Sequence, residues 1–386
     1  MNFNYIPFIA ALCTTLLSCS RELDLEHKFD NSNSSRPKDE IIEEIEDTKD
    51  YLDKGILLMS PRTDLKIKDG VPRKDFLLDG KISVIKFKGQ KNYTTFWSGN
   101  KSYMQEGCES PYLENNVNRL QENMAVIGKG ITSTEGFSDG GQWMIGVHEL
   151  PDGRLAGFFH SESHWKGCKG AYKSIGLAYS DNNGKTWTKG SKIISGSDPK
   201  PARPEDPNSG KSYGLGDGCS VWNEARQSWI VYYSGFDGRN YRISMAESKD
   251  PAAKAGTWKK WDGSDFTVEA CNQKTGLGGP NVAIKNLSSY AGGNPSVTWN
   301  THLEKWIMFY HSWQKAIVMS TSADGITWDK PVLLVDLNLE PGGSMYPNIV
   351  GEHGDLTTGQ SFRLYYAADM NNFGQRKTAM RKIQLK

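Results

Sequence analysis

A chain of 386 residues with 37% hydrophobic side chains is long enough to bury a substantial core. Its 46 Lys and Arg balance 45 Asp and Glu, for a net charge of +1. That balance supplies neither the basic field of a nucleic-acid binder nor a polybasic membrane patch.

At the N-terminus Phe8–Leu17 is an apolar run shorter than a bilayer-spanning helix. Leu16-Leu-Ser-Cys19 follows on from it and resembles the lipobox of bacterial lipoproteins. The resemblance implies a signal peptide over 1–18, cleavage before Cys19 and lipidation of its sulfur. The competing reading is a buried N-terminal strand or helix. Residues 19–52 are polar and charged and read as a flexible tether, leaving 53–386 as the folded domain. The expected location is a bacterial membrane, facing the periplasm or the cell surface, with the lipid anchor as the sole membrane contact. Cys108, Cys168, Cys219 and Cys271 then permit two disulfides in three pairings, or free buried thiols; their spacing does not suit a zinc site.

Strands are expected at Lys81–Lys88, which alternates, and at Tyr93–Trp97, which is β-branched and aromatic. Asn115–Val126 is less regular, with room for a short helix. A repeating unit then begins. Short strands at Trp143–His148, Cys219–Trp222, Pro295–Trp299 and Pro347–Val350 each precede an aromatic strand: Leu155–Phe159, Trp229–Tyr233, Trp306–Tyr310 and Phe362–Tyr366. Three of these lead into a third strand that ends on a serine and turns towards a tryptophan: Ser180 to Trp187, Ser248 to Trp258, and Ser322 to Trp328. In the first of these turns Ser180 and Asn182 can accept hydrogen bonds from backbone N–H groups, and Gly184 can take a positive φ. Four short strands repeated at this period predict an all-β fold, a five-bladed β-propeller with four antiparallel strands per blade. Pairing of an N-terminal strand with the last C-terminal ones would close the ring.

If the serine-to-tryptophan turns share one face of the disc, the innermost-strand starts and the loops after each aromatic strand share the other. Asp139, Asp217, Asn294 and Tyr346 come from the strand starts. His160, Glu162, His164, Asp237, Arg239, His311, Trp313 and Asp369 come from the loops. Carboxylates beside Trp and His suit glycosyl transfer to water, in which one carboxyl group protonates the leaving oxygen and another acts as base or nucleophile. Asp139, Asp217 and Glu162 are the expected catalytic residues, with Glu162 as the acid. His160, His164, Asp237, Arg239, Asn294, His311, Trp313, Tyr346 and Asp369 are the expected substrate contacts. The alternating His160-Ser-Glu-Ser-His164 has the ligand types of a metal site, but one loop supplies few ligands.

Gly216-Asp217-Gly-Cys-Ser-Val221 and Asn294-Pro-Ser-Val297 are similar to the blade-opening Asp-Pro-Ser-Val phrase of five-bladed furanosidases of the arabinanase type. Ser180–Trp187 resembles the Asp-box of sialidases. The first resemblance covers roughly Lys81 to the C-terminus and implies a glycoside hydrolase acting on poly- or oligosaccharide, arabinofuranose-containing glycans among them. Those enzymes carry their acid in a Glu-Gly-Pro phrase, where this chain has Gly278-Gly-Pro280. The alternative is therefore a non-catalytic glycan-binding surface lipoprotein. The expected partner is carbohydrate, without nucleic acid, and the expected state is a monomer. No cofactor is expected, although the central channel leaves room for a structural metal.

Overall fold

The computed structural model describes residues 57–66, 77–99, 101–115, 125–126, 136–208, 212–236 and 240–386. The expected signal peptide, Cys19, the tether, Asp237 and Arg239 lie outside them.

Regular structure is almost entirely β and falls into five successive antiparallel units. The first holds Ile82–Ile85, Tyr93–Ser98, Ser102–Cys108 and Ala125–Val126. The second holds Gly141–Glu149, Leu155–His164, Ala171–Ser180 and Thr188–Ile194. Tyr213–Asn223, Ser228–Phe236, Tyr241–Ser248 and Lys259–Trp261 make the third, extended by Phe266–Glu269. Gly292–Asn300, Lys305–Ser312, Ile317–Ser322 and Val332–Val335 make the fourth. The fifth joins Ser344–Val350, Ser361–Ala368 and Lys377–Leu385 to Leu57–Met59 from the other end of the described chain. The expected N- to C-terminal pairing is thus present, with Leu57 opposite Leu385. By hydrogen bonding the units form four sheets, because Tyr213 and Gly214 pair in parallel with Tyr172 and Lys173 and fuse the second unit to the third. The first strand of each unit adjoins that of the next, and that of the fifth adjoins that of the first.

The serine-to-tryptophan turns explain how neighbouring units lock. Ser180 Oγ accepts from Gly184 N at 2.9 Å, Asn182 Oδ1 accepts from Thr186 N at 2.9 Å, and Gly184 takes φ +85°. The turn aims Trp187 at Phe96 of the preceding unit. Trp258 meets Phe158 and Trp328 meets Tyr232 in the same way, each ring buried edge-on against an aromatic of the unit before. Asn223, at the end of the third unit's first strand, donates to Asp324 O at 2.8 Å. That bond places the end of the third unit's first hairpin beside the serine turn of the fourth.

Cys108, Cys219 and Cys271 are buried and Cys168 partly so, and among the described residues none of the four is joined in a disulfide. Of the irregular stretch Asn115–Val126, residues 116–124 lie outside the described chain.

Candidate active site

The start of the third unit's first strand sets the geometry. Register breaks between Gly216 and Gly218, and Asp217 takes the left-handed φ of +48°. Gly218 is required there, since a Cβ would lie 2.1 Å from Tyr232 O. Asn294 (φ +52°) and Tyr346 (φ +54°) occupy the same irregularity in the fourth and fifth units. In each case the second strand of the preceding unit receives the exposed amide. Asp217 N donates to His160 Nδ1 at 2.9 Å, Asn294 N to Ser234 Oγ at 3.1 Å, and Tyr346 N to His311 Nδ1 at 3.4 Å. His160 and His311 are therefore first of all receptors for backbone amides.

Because its Nδ1 accepts, His160 carries its proton on Nε2, which points at Glu162 Oε1, 3.3 Å away. Glu162 Oε2 meets His164 Nε2 at 2.8 Å. Lys173 joins the two carboxylates, 3.3 Å from Glu162 Oε1 and 3.4 Å from Asp217 Oδ2. Burial alone would raise the Glu162 carboxyl, but the bond from His160, the Lys173 ammonium and the contact with His164 hold it well below the usual range. Asp217 is likewise depressed: burial opposes ionisation, and the Lys173 ammonium overrides it. Burial would lower Lys173, yet Asp217 and Glu162 raise it. A carboxylate held ionised in this way is suited to accepting hydrogen bonds from hydroxyl groups.

These shifts fix a pH dependence. The depressed carboxylates stabilise the fold fully above their unfolded pKa values, and that contribution is lost as pH falls through their folded values. Lys173 contributes below its unfolded pKa and is lost only as pH rises through its raised value. Thermal denaturation should show a plateau at neutral pH, with a fall starting below about pH 4. A Lys173→Met variant should lose much of the acid-limb slope.

Asp79, absent from the expected set, completes the cluster. It precedes the first strand of the first unit. Arg376 Nη1 donates to its Oδ1 at 3.3 Å, and the Tyr346 hydroxyl bonds to it. Burial, reinforced by the Asp217 charge, still raises this carboxyl above its ordinary value against the pull of Arg376 and Tyr346. Asp79 thus feels the charge of Asp217, and the two carboxyl groups are displaced in opposite directions.

The other expected residues divide. Asp139 is exposed in the turn before Gly141; its neighbour Gly140 N donates to Glu162 O at 2.8 Å, but among the described residues its carboxylate has no ion pair. Asp369 pairs with Lys377 of its own unit at 3.8 Å and with Arg62 at 2.8 Å, which ties the fifth unit to the N-terminal segment. Trp313 is 44% exposed; its Nε1 donates to Tyr241 O at 2.9 Å, and its ring leans on His311. His311 is fully buried, burial pushes its imidazole down to about 4, and its Nε2 has no partner among the described residues.

A cleft of ≈ 590 Å³ is walled by Tyr172, Tyr213, Tyr241, Phe236 and Asn281, and its Tyr241 feels the charges of Lys173 and Asp217. A proline-rich loop forms its far wall and is pinned by Lys200 Nζ to Ser163 Oγ (2.8 Å) and by Trp165 Nε1 to Pro201 O (2.7 Å). The Gly278-Gly-Pro280 phrase has no space for an acid. A Cβ on Gly278 would lie 2.3 Å from Ala270 O and 2.4 Å from Ser195 O. Among the described residues no group of three or more His, Cys, Asp or Glu side chains could hold a metal ion.

No family model matches the sequence, and no curated protein matches it. Solved structures do. Zg3597, a family 117 glycoside hydrolase produced by the marine bacterium Zobellia galactanivorans, superposes with a TM-score of 0.52 at 10% identity, covering 86% of this chain and 91% of that one. A thermostable family-43 glycoside hydrolase gives 0.47 at 12% identity over 82% of this chain and 96% of its own. The chain spans 62% of a glycoside hydrolase structure from Parabacteroides distasonis ATCC 8503, with a TM-score of 0.36, 15% identity and 59% of this chain covered. At these identities the likeness is one of fold.

Proposed function

We propose that this chain is a glycoside hydrolase on a closed five-bladed β-propeller, acting on a poly- or oligosaccharide that lies in the aromatic cleft. The observation that carries the reading is the pair Asp79 and Asp217: two carboxyl groups, joined through the charge of Asp217 on Asp79, whose environments displace them in opposite directions. Such a pair divides into proton donor and carboxylate. Asp79 protonates the leaving oxygen, and Asp217, kept ionised by Lys173, acts as base or nucleophile. Glu162 and the tyrosines of the cleft hold hydroxyls and ring faces. Arabinofuranose-containing glycans are the first substrates to try, on the motif resemblance, and anchorage through Cys19 to a bacterial membrane belongs to the same proposal.

A second reading, a glycan-binding lipoprotein without turnover, is favoured by the steric exclusion of any acid at Gly278. A reducing-sugar assay on arabinan, xylan and arabinofuranosyl oligosaccharides separates the two. Release by the parent and none by Asp217→Asn is expected. Retention of a glycan by the parent with no release from any of them would leave the binding reading in its place.

A further inference from the structure

On the face opposite Asp217 a second concavity of ≈ 560 Å³ opens between the third and fourth units, with Leu356 and Thr357 of the fifth at its edge. Its volume is that of a small-ligand site. Trp222 and Trp299 line it from the same position in adjacent units, one at the end of each first strand. Each stands against the buried tryptophan opposite it in register, Trp229 at 5.1 Å and Trp306 at 5.5 Å, so both indoles are rigid. Both remain half-buried, whereas the tryptophans of the serine turns are fully packed.

The polar groups are equally fixed. Trp222 Nε1 donates to Glu224 Oε2 at 2.7 Å and Gln227 Nε2 donates to Glu224 Oε1 at 2.8 Å, which orients an exposed carboxylate at the rim. Asp324 is occupied by Ile326 N and Thr327 N. Ala225 and Ala323 keep the opening clear, and neither Lys nor Arg lines it. Arg226 is turned to Glu247 at 2.8 Å. Flat apolar rings with an oriented acceptor match the C–H faces and hydroxyl edges of sugars. The absence of cations excludes anionic ones.

We infer that this groove is a second binding site for a neutral oligosaccharide, independent of the catalytic face. It shares with the proposed function only the ligand class. The test is native gel electrophoresis of the full chain in gels containing arabinan, xylan or agarose, and, as anionic controls, polygalacturonate or carrageenan. Retardation by at least one neutral polymer is expected. Trp222→Ala combined with Trp299→Ala should weaken it by about tenfold or more. Glu224→Lys, at an exposed site that leaves the core intact, should weaken it as well while thermal unfolding stays unchanged. Hydrolysis of a small soluble glycoside should be the same in all these variants. Absence of retardation by every neutral polymer, retardation by anionic polymers alone, or retention unaffected by both sets of variants would overturn the site. So would a parent that elutes as a dimer and a Trp222→Ala/Trp299→Ala variant that elutes as a monomer, since the groove would then hold a second copy of the chain. Loss of hydrolysis in Asp217→Asn with retardation intact shows that the two sites stand or fall separately.

Discussion

Asp79→Asn is expected to lower turnover of a glycoside with an alkyl or sugar leaving group by about 10²–10⁴-fold, the range contributed by a positioned proton donor. The same variant should lose far less on a matched aryl glycoside whose phenolate leaves without a proton. Asparagine preserves the shape of Asp79, and its amide oxygen can still accept from Arg376, so the loss reports the proton. Asp217→Asn is expected to fail on both substrates, because neither dispenses with a base or nucleophile. Measured kcat and KM on the two leaving-group classes decide the assignment. Equal losses in Asp79→Asn would remove it as donor, and leaving-group rescue in Asp217→Asn instead would exchange the two roles.

The second large effect concerns the centre of the five first strands. Lys81 Nζ lies 3.0 Å from Asp355 Oδ2, with both side chains almost wholly buried, and donates to Ser296 Oγ at 3.2 Å. Asp355 Oδ1 in turn accepts from Val84 N at 2.8 Å, and Ser296 Oγ from Ile349 N at 3.2 Å. One ammonium therefore ties the first unit to the fourth and fifth. Together with burial, its charge holds the His148 imidazole down at about 3. Lys81→Met leaves the Asp355 charge buried without its partner and should cost about 3–5 kcal/mol in urea or thermal unfolding. Lys81→Met with Asp355→Asn should recover a good part of that loss, since the stranded charge is gone. A cost below about 1 kcal/mol for the single variant would mean that water reaches the pair.

Much of the architecture was legible because it is repeated. The serine turns and the aromatic second strands follow from spacing and side-chain type alone, and the pairing of an N-terminal strand with the last one follows from the need to leave no open edge, although nothing in the sequence singled out Leu57–Met59 for it. Asp217, Asn294 and Tyr346 were legible as a class, since each heads the first strand of its unit, although the left-handed backbone they share was not. Asp79 had a signal that went unread: Asp79-Gly80 repeats Asp217-Gly218 at a strand start. Lys173 had none. It sits within an ordinary strand, and only the parallel pairing of Gly214 with Lys173 brings it to Asp217. The ion pair of Asp369 was illegible because a loop carboxylate looks the same in sequence whether or not Arg62, more than three hundred residues away in the chain, bonds to it. The ionisation of Glu162 was illegible for a related reason: it depends on His160 and Lys173, whose distances no spacing encodes.

The opposed states of Asp79 and Asp217 can be read directly by carbon-13 NMR titration of aspartate carboxyl groups in labelled protein, each resonance assigned by its loss in Asp79→Asn or Asp217→Asn. The expected result is an Asp79 carboxyl that titrates above the ordinary 3.8 and an Asp217 carboxyl that titrates below it. Two superimposable titrations near 3.8, or the reverse order, would contradict the division of donor and carboxylate on which the hydrolytic reading depends.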